Sequence, residues 1–200
     1  MASRKVDFAH LHNHTEYSML DGAAKIKPMV AEAARLEQPA LGITDHGYLF
    51  GAYEFYREAT AAGIKPVIGL EAYVTPGTSR RDRTRVQWGE PWQREDDVSA
   101  RGAYTHLTLL AYSTEGVHNL FRMGSEASLT GQFGKWPRID RELMQRYHKG
   151  LMVFTGSHPV RFRFACALAS GMRPFVRPAN CATFSARTTS TSNSWTTASP

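Results

Sequence analysis

Cysteine is nearly missing from this sequence: Cys166 and Cys181 are the only two among 200 residues, and both fall late. That excludes a disulfide framework and fits a reducing cytoplasm, where we expect the protein to reside. Long apolar runs are missing too. None approaches the ~20 residues that cross a bilayer, so no membrane is expected as a partner. The opening Met1-Ala2-Ser3-Arg4-Lys5-Val6-Asp7 lacks the apolar stretch of a secretory signal, and none is expected. Acidic residues vanish after Glu142. Met1 to Glu142 holds 17 Lys+Arg against 18 Asp+Glu, whereas Leu143 to Pro200 holds 7 Lys+Arg and no acid. The two parts carry −1 and +7, giving the net +6. The basic balance belongs to the tail and marks no DNA-binding face on the rest.

What is present is enough chain for one domain with a real core. Val6 to His12 reads as a first strand. Pro28 suits the first position of a helix, and Met29 to Glu37 places Met29, Val30, Ala33, Ala34 and Leu36 at roughly helical spacing. Ala40-Leu41-Gly42-Ile43-Thr44 is a short apolar strand ending in Asp45-His46-Gly47. A second helix is expected from about Phe50 to Ala62, with Ala52, Tyr53, Tyr56 and Ala59 on one face and Gly63 placed to stop it. Pro66 to Val74 reads as a strand buried on both faces. This β-α-β-α-β order implies an α/β fold, a parallel sheet or barrel with covering helices. Thr75 to Gly102 breaks the rhythm with Pro76-Gly77, four arginines among residues 80–85 and the acidic Glu95-Asp96-Asp97. It reads as a solvated excursion, able to touch phosphates if it lies near an active site. Tyr104 to Ala111 returns as a fourth strand. Helices are expected over Ser113 to Ser128 and Ile139 to Tyr147, and a fifth strand over Leu151 to Phe154.

The chemistry starts at His10-Leu11-His12-Asn13-His14. Alternate positions of an extended strand share a face, so His10, His12 and His14 are able to point the same way. Neutral imidazoles are good ligands for zinc, manganese and iron. The plain alternative is three exposed histidines on a strand edge. Further along, Asp21 lies in a turn, His46 follows the second strand, Glu71 lies in the third, and His106 lies in the fourth. In folds of β-α units, functional residues collect at strand ends on one face. His12, His14, Asp21, His46, Glu71 and His106 are therefore the candidate metal ligands. Glu71 is suited to bridge two cations because a carboxylate has two ligand oxygens. Several cations a few ångströms apart favour phosphoester hydrolysis.

Several stretches in order resemble one family: His10 to Gly22, Gly42-Ile43-Thr44-Asp45-His46-Gly47, Gly63 to Glu71, Tyr104 to Ala111, Gly134-Lys135-Trp136-Pro137-Arg138 and Lys149-Gly150-Leu151. The family is the PHP (polymerase and histidinol phosphatase) domain at the N-terminus of bacterial replicative DNA polymerase III alpha subunits, and the likeness covers about Val6 to Gly156. The resemblance implies a distorted (β/α)7 barrel, here only partial and incomplete at the C-terminus. It implies a centre of up to three divalent metals, zinc or manganese, that removes nucleotides 3′ to 5′, with magnesium serving a polymerase site not found here. Its implied partners are primer–template DNA and the other replicase subunits. His12, His14, Asp21, His46, Glu71 and His106 match ligands of that nine-ligand site. The family's last three, a Cys soon after the fifth strand and a later Asp and His, have no match. Ser157 stands where the Cys is expected.

From residue 157 the text changes character, with 11 Ser or Thr among the last twenty residues and no amphipathic period. Read in a frame shifted by one base, Val160 to Ser185 encodes GEVQIRLRLGQWDEAVRAAGELRDIF, which has acids and a helical apolar period. Loss of one G from a Cys codon turns Cys-Pro-Ser into Ser157-His158-Pro159. We therefore expect a PHP domain over 1–156 and a frameshifted, poorly packed tail over 157–200. Three functional readings follow. One is a polymerase-derived editing domain with little or no remaining activity. The second is a stand-alone phosphoesterase of the histidinol-phosphatase kind. The third is a non-catalytic domain that supports a polymerase.

Overall fold

A computed structural model describes residues 8–86 and 100–154. In chain order the elements are α1 (Ile26–Arg35), β1 (Ala40–Ile43), α2 (Ala52–Ala61), β2 (Lys65–Val74), β3 (Thr105–Ala111), α3 (Thr114–Thr130), β4 (Gln132–Phe133), β5 (Trp136–Ile139), α4 (Arg141–Tyr147) and β6 (Leu151–Phe154). The expected tail, 157–200, lies outside the described residues. No helix among those described is long and apolar enough to cross a membrane.

The centre of the sheet is β2. Its even-numbered residues Leu70, Ala72 and Val74 are buried in the main core with Leu109 of β3, Phe55 of α2 and Leu120 and Met123 of α3. Each large aliphatic side chain buried this way contributes about 1.5–3 kcal/mol. The strands run in the order β4-β5-β2-β3-β6, with β1 also paired to β2. β1 runs parallel along the start of β2, Ala40 opposite Lys65 through Ile43 opposite Ile68. β5 runs parallel along its end, Tyr73 opposite Arg138 and Val74 opposite Ile139. The other edge of β2 is taken by β3, which is antiparallel, as is the β3–β6 pair. The expected all-parallel sheet is thus a mixed one. A helical crossover joins the parallel neighbours β1 and β2 through α2, and antiparallel neighbours need no such crossover. The fold is mixed α/β, and the barrel is not closed among these residues.

Local chemistry explains where elements stop. Gly63 takes φ +72°, and its N–H and that of Ile64 return to Thr60 and Ala59 at 3.1 and 2.9 Å, closing α2 as expected of a glycine there. Ser113 Oγ accepts from Gly116 N at 3.1 Å and caps α3. The helix expected from Ile139 begins only at Arg141. Asp140 caps it by accepting from Leu143 N at 3.1 Å, while Trp136–Ile139 forms β5 in a hairpin the sequence pattern had hidden. On α2 the core-facing set is Ala52, Phe55 and Ala59, with Tyr53 and Tyr56 exposed, because spacing by three and four residues selects Phe55 and leaves the hydroxylated rings outside. Pro28 sits third in α1 rather than first, and Leu36 is exposed.

The first strand is not regular. Val6 and Asp7 lie outside the described residues. Gly42 N donates to His10 O at 2.7 Å and Thr44 N to Asn13 O at 2.8 Å. Three steps on the first segment therefore match two on β1, so one residue is extra, as in a bulge. Gly42 is needed at this crossing, since a Cβ there would lie 2.9 Å from the Leu11 backbone. The excursion after β2 also departs from expectation at Arg80. That side chain is buried, paired with Asp140 and donating to Thr130 Oγ1 at 2.7 Å.

Candidate metal centre

β1 and β5 share one edge of β2 and leave a gap between them. His46 fills it. Asp45 O accepts from Glu71 N at 3.0 Å and Gly47 N donates to Glu71 O at 2.9 Å, so His46 lies directly beside Glu71. Gly47 permits the exit from this contact. Its φ is +69°, and a Cβ would meet the Tyr73 ring at 2.7 Å. On the other edge Tyr73 faces His106 across the antiparallel ladder. That puts His106 diagonal to Glu71 on the same face, close enough to touch.

The result is one carboxylate with imidazoles on both sides. Glu71 Oε2 lies 2.7 Å from His12 Nε2 and 3.1 Å from His14 Nε2. Its Oε1 lies 2.7 Å from His106 Nδ1 and 3.9 Å from His46 Nδ1. His14 and His46 stack at 4.3 Å with their planes 8° apart. Asp21 folds back as expected and meets His46 Nε2 at 2.7 Å. All six sequence-derived candidates are therefore gathered at one mouth. His10 is not. The extra residue between His10 and Asn13 turns it away, its N–H bonds to Gln38 Oε1 at 3.2 Å, and it lines a separate cleft with Lys25 and Met29.

Burial pushes the Glu71 carboxyl upward, but hydrogen bonds with His106, His12 and His14 outweigh it and hold the group well below the usual carboxylate range. The hydrogen bond to Glu71 raises His14 above its ordinary value against the opposing effect of burial. Tyr73 is pushed up, first by burial and then by Tyr104, Asp21 and Glu71 nearby, so its hydroxyl stays protonated.

The donor set fits divalent cations. Two groups, His12 with His14 and Glu71, and His46 with His106 and Glu71, each bring one ligand atom per residue within 4.8 Å of the others. Nδ1 of His14 and of His46 is buried without a hydrogen-bond partner, whereas Nδ1 of His106 meets Glu71 Oε1. Buried polar atoms are rarely left so. Imidazole nitrogens in that condition, beside an ionised carboxylate, are able to take up a cation.

Sequence reasoning missed Asp45. It is buried and accepts from Thr15 N at 2.6 Å, Thr15 Oγ1 at 2.7 Å and Ser18 Oγ at 2.7 Å. Ser18 Oγ in turn accepts from His46 N at 3.1 Å. Asp45 thereby ties the loop bearing Asp21 to the segment bearing His46. The available signal was its place next to a candidate ligand, with Thr and Ser spaced along the preceding loop.

Imidazoles and carboxylates gathered at one end of a mixed α/β sheet form a cluster of the kind that can hold a metal ion. The sequence matches the PHP domain over residues 10–172, and the chain belongs to that family. It is 61% identical over 149 residues to DNA polymerase III subunit alpha of Mycobacterium leprae, a match spanning 74% of this chain and 13% of that protein. Against the Thermus aquaticus subunit it is 47% identical over 154 residues, 76% of this chain and 12% of the relative. The chain thus spans a small part of the length of these relatives, matching their N-terminal regions. An amidohydrolase from Chromobacterium violaceum is similar at a TM-score of 0.35 and 18% identity, over 70% of this chain and 48% of that one.

Proposed function

We propose that His12, His14, Asp21, His46, Glu71 and His106 are the metal ligands of a phosphodiesterase centre derived from the editing site of a replicative DNA polymerase. The observation that carries this is the division of four imidazoles between the two oxygens of Glu71, with the buried Nδ1 of His14 and of His46 lacking a hydrogen bond. Glu71 would hold cations through its two oxygens, together with His12 and His14 on one side and His46 and His106 on the other. The names of the relatives favour DNA as substrate, with cytoplasmic primer–template and replicase subunits as partners. Bound divalent cations would polarise phosphoryl oxygens and acidify water. The protein's share is to fix the ligands: the β2–β3 ladder sets His106, the Asp45–Ser18 link sets His46, and the bulge sets His12 and His14. Tyr73, neutral and stacked on His46 at 6.0 Å, stands as a hydroxyl donor beside the mouth.

The family's Cys, later Asp and later His have no counterpart in these 200 residues, so cation binding is weakened and exonuclease turnover is little or none. Two measurements test this. In a zinc or manganese titration of the full chain, saturable binding is expected. Glu71→Gln and His46→Ala should each weaken it at least about tenfold, the scale on which even outer partners of a metal site matter. A 3′-labelled primer–template assay should show little cleavage. Absence of saturable binding overturns the site, and strong cleavage abolished by His46→Ala overturns the inactivity.

A further inference from the structure

Beside the metal centre the hairpin of β4 and β5 presents a shelf of rings and cations that the proposed chemistry does not use. We propose that Arg83, Arg85 and Lys135, set on the faces of Phe133 and Trp136, bind the backbone of single-stranded DNA entering that centre. The inference rests on the phosphodiesterase reading above and names its substrate contact.

The rings are continuous with the site. Tyr73 stacks on His46, and Tyr104 meets Tyr73 at 4.6 Å and His106 at 5.2 Å. Trp136 meets Tyr104 at 5.3 Å. The hairpin also abuts the mouth directly, since a Cβ on Gly47 would lie 3.0 Å from Pro137. Along this path Lys135 Nζ sits 5.9 Å from the Trp136 ring, and the Arg83 and Arg85 guanidinium carbons sit 5.6 and 5.0 Å from the Phe133 ring. Phe133 and Tyr104 are buried and pack with the partly exposed Trp136 in a cluster of their own, so Trp136 is the ring of the three that faces solvent.

All three cations are exposed, and among the described residues none of them is paired with a carboxylate. Arg85 is held by the carbonyl of Ala100. A further guanidinium, that of buried Arg138, lies 4.4 Å from the same Phe133 ring, fixed by the carbonyls of Ala103, Arg80 and Asp82. Burial first, and then Arg83, lower its pKa; Asp82 opposes them, and Arg85 adds a smaller push downward. Such self-repulsion is relieved by an anion. A chain of phosphates with free base faces answers both features, because the partly exposed Trp136 ring can stack on a base while the exposed cations track the backbone. Paired bases in a duplex offer no such faces, so the ligand is single-stranded.

The test is fluorescence anisotropy of the full chain in EDTA with a labelled oligothymidine of about twelve nucleotides, and with a blunt duplex of equal length. Replacing Arg83, Arg85 and Lys135 together by Gln should weaken strand binding at least about tenfold and cut the log–log salt slope by about 2, at roughly 0.7 per cation. Arg83→Lys with Arg85→Lys should retain the slope, which separates lost charge from lost folding. Cations of residues 157–200 are present in every variant, so they cancel in the comparison. Unchanged binding by the triple variant, or duplex binding as tight as strand binding, overturns the proposal. Because the assay contains no metal, failure of the phosphodiesterase reading appears separately, as missing zinc or manganese binding with the shelf's DNA binding intact.

Discussion

Arg80 and Asp140 are buried against each other, each side chain 5% exposed, with Nη1 of one 3.0 Å from Oδ2 of the other. The pair joins the start of the excursion after β2 to the start of α4. Asp140 also accepts from Arg80 N at 2.9 Å and caps α4, so one carboxylate serves a loop, a helix and an ion pair. Glu142 adds a more exposed contact to Arg80 at 2.9 Å.

Removing one partner of such a pair strands the other charge. Asp140→Ala should destabilise the fold by about 3–5 kcal/mol, read as a drop in the urea midpoint without a change in slope. Replacing both Arg80 and Asp140 by leucine should recover part of that loss, since apolar isosteres often match a buried pair. A cost below about 1 kcal/mol for Asp140→Ala would place the pair in the class of solvent-screened surface contacts.

The pair also shows what the sequence did and did not disclose. An arginine in a run with Arg81, Arg83 and Arg85 looks solvated, and only the fold brings Asp140, sixty positions later, against it. The clustered candidates His12, His14, His46, Glu71 and His106 were legible because each sits in or beside an apolar strand pattern, where position along the chain translates directly into position in space, whereas Asp21 lies in a turn. β2 and β3 were readable for the same reason. His10 was not, because a single extra residue reverses the facing of everything before it, and that residue leaves no mark in the hydropathy pattern. The β4–β5 hairpin was hidden because its strands are two and four residues long and one contains Pro137, which weakens any strand pattern.

Cation binding should be steeply pH-dependent, with the opposite sign to the stability of the metal-free protein. The Glu71 contact raises His14, so that its stabilising effect is fully present below the ordinary histidine value of 6.5 and fades as pH rises through the higher folded value. Glu71, held low, stays ionised throughout. Cations need the neutral imidazole and must displace the proton. Apparent zinc affinity should therefore fall as pH drops from about 8 to 5.5, by up to about tenfold per unit for each proton displaced, while the metal-free melting temperature gains the His14 contribution over the same interval. Titrations in matched buffers across that range check both. An affinity independent of pH would mean that the ring nitrogens are not the ligands.

Asp45 should control the site without binding a cation. Asp45→Asn keeps the shape but gives a weaker acceptor for Thr15 N, Thr15 Oγ1 and Ser18 Oγ. Loosening the Ser18 link frees His46, and metal affinity should drop about 10–100-fold, the usual cost of losing an outer partner. Stability should fall by a smaller amount, about 1–3 kcal/mol, as charge-assisted hydrogen bonds are replaced by neutral ones. Pairing the zinc titration with a urea melt separates the two effects. Equal metal affinity in the variant and the parent would show that His46 is positioned by the β2 contact alone.

We propose that residues 157–200 are read in the wrong frame, and the gene sequence tests it. The M. leprae match accounts for 74% of the chain, while the composition from residue 157 on has no acid at all. A random polar segment would still hold some Asp or Glu, whereas a frame shifted within a GC-rich gene replaces them with Arg, Ser, Thr and Pro. The bases around codon 157 should therefore become TGC CCA TCC on insertion of one G, and the downstream bases should spell the acid-containing text over the positions now read as Val160 to Ser185. Expressed with that base restored, the protein should carry Cys in place of Ser157 and bind zinc more tightly than the present chain, because a thiolate joins the imidazoles. Bases that fail to give this text in the shifted frame end the idea.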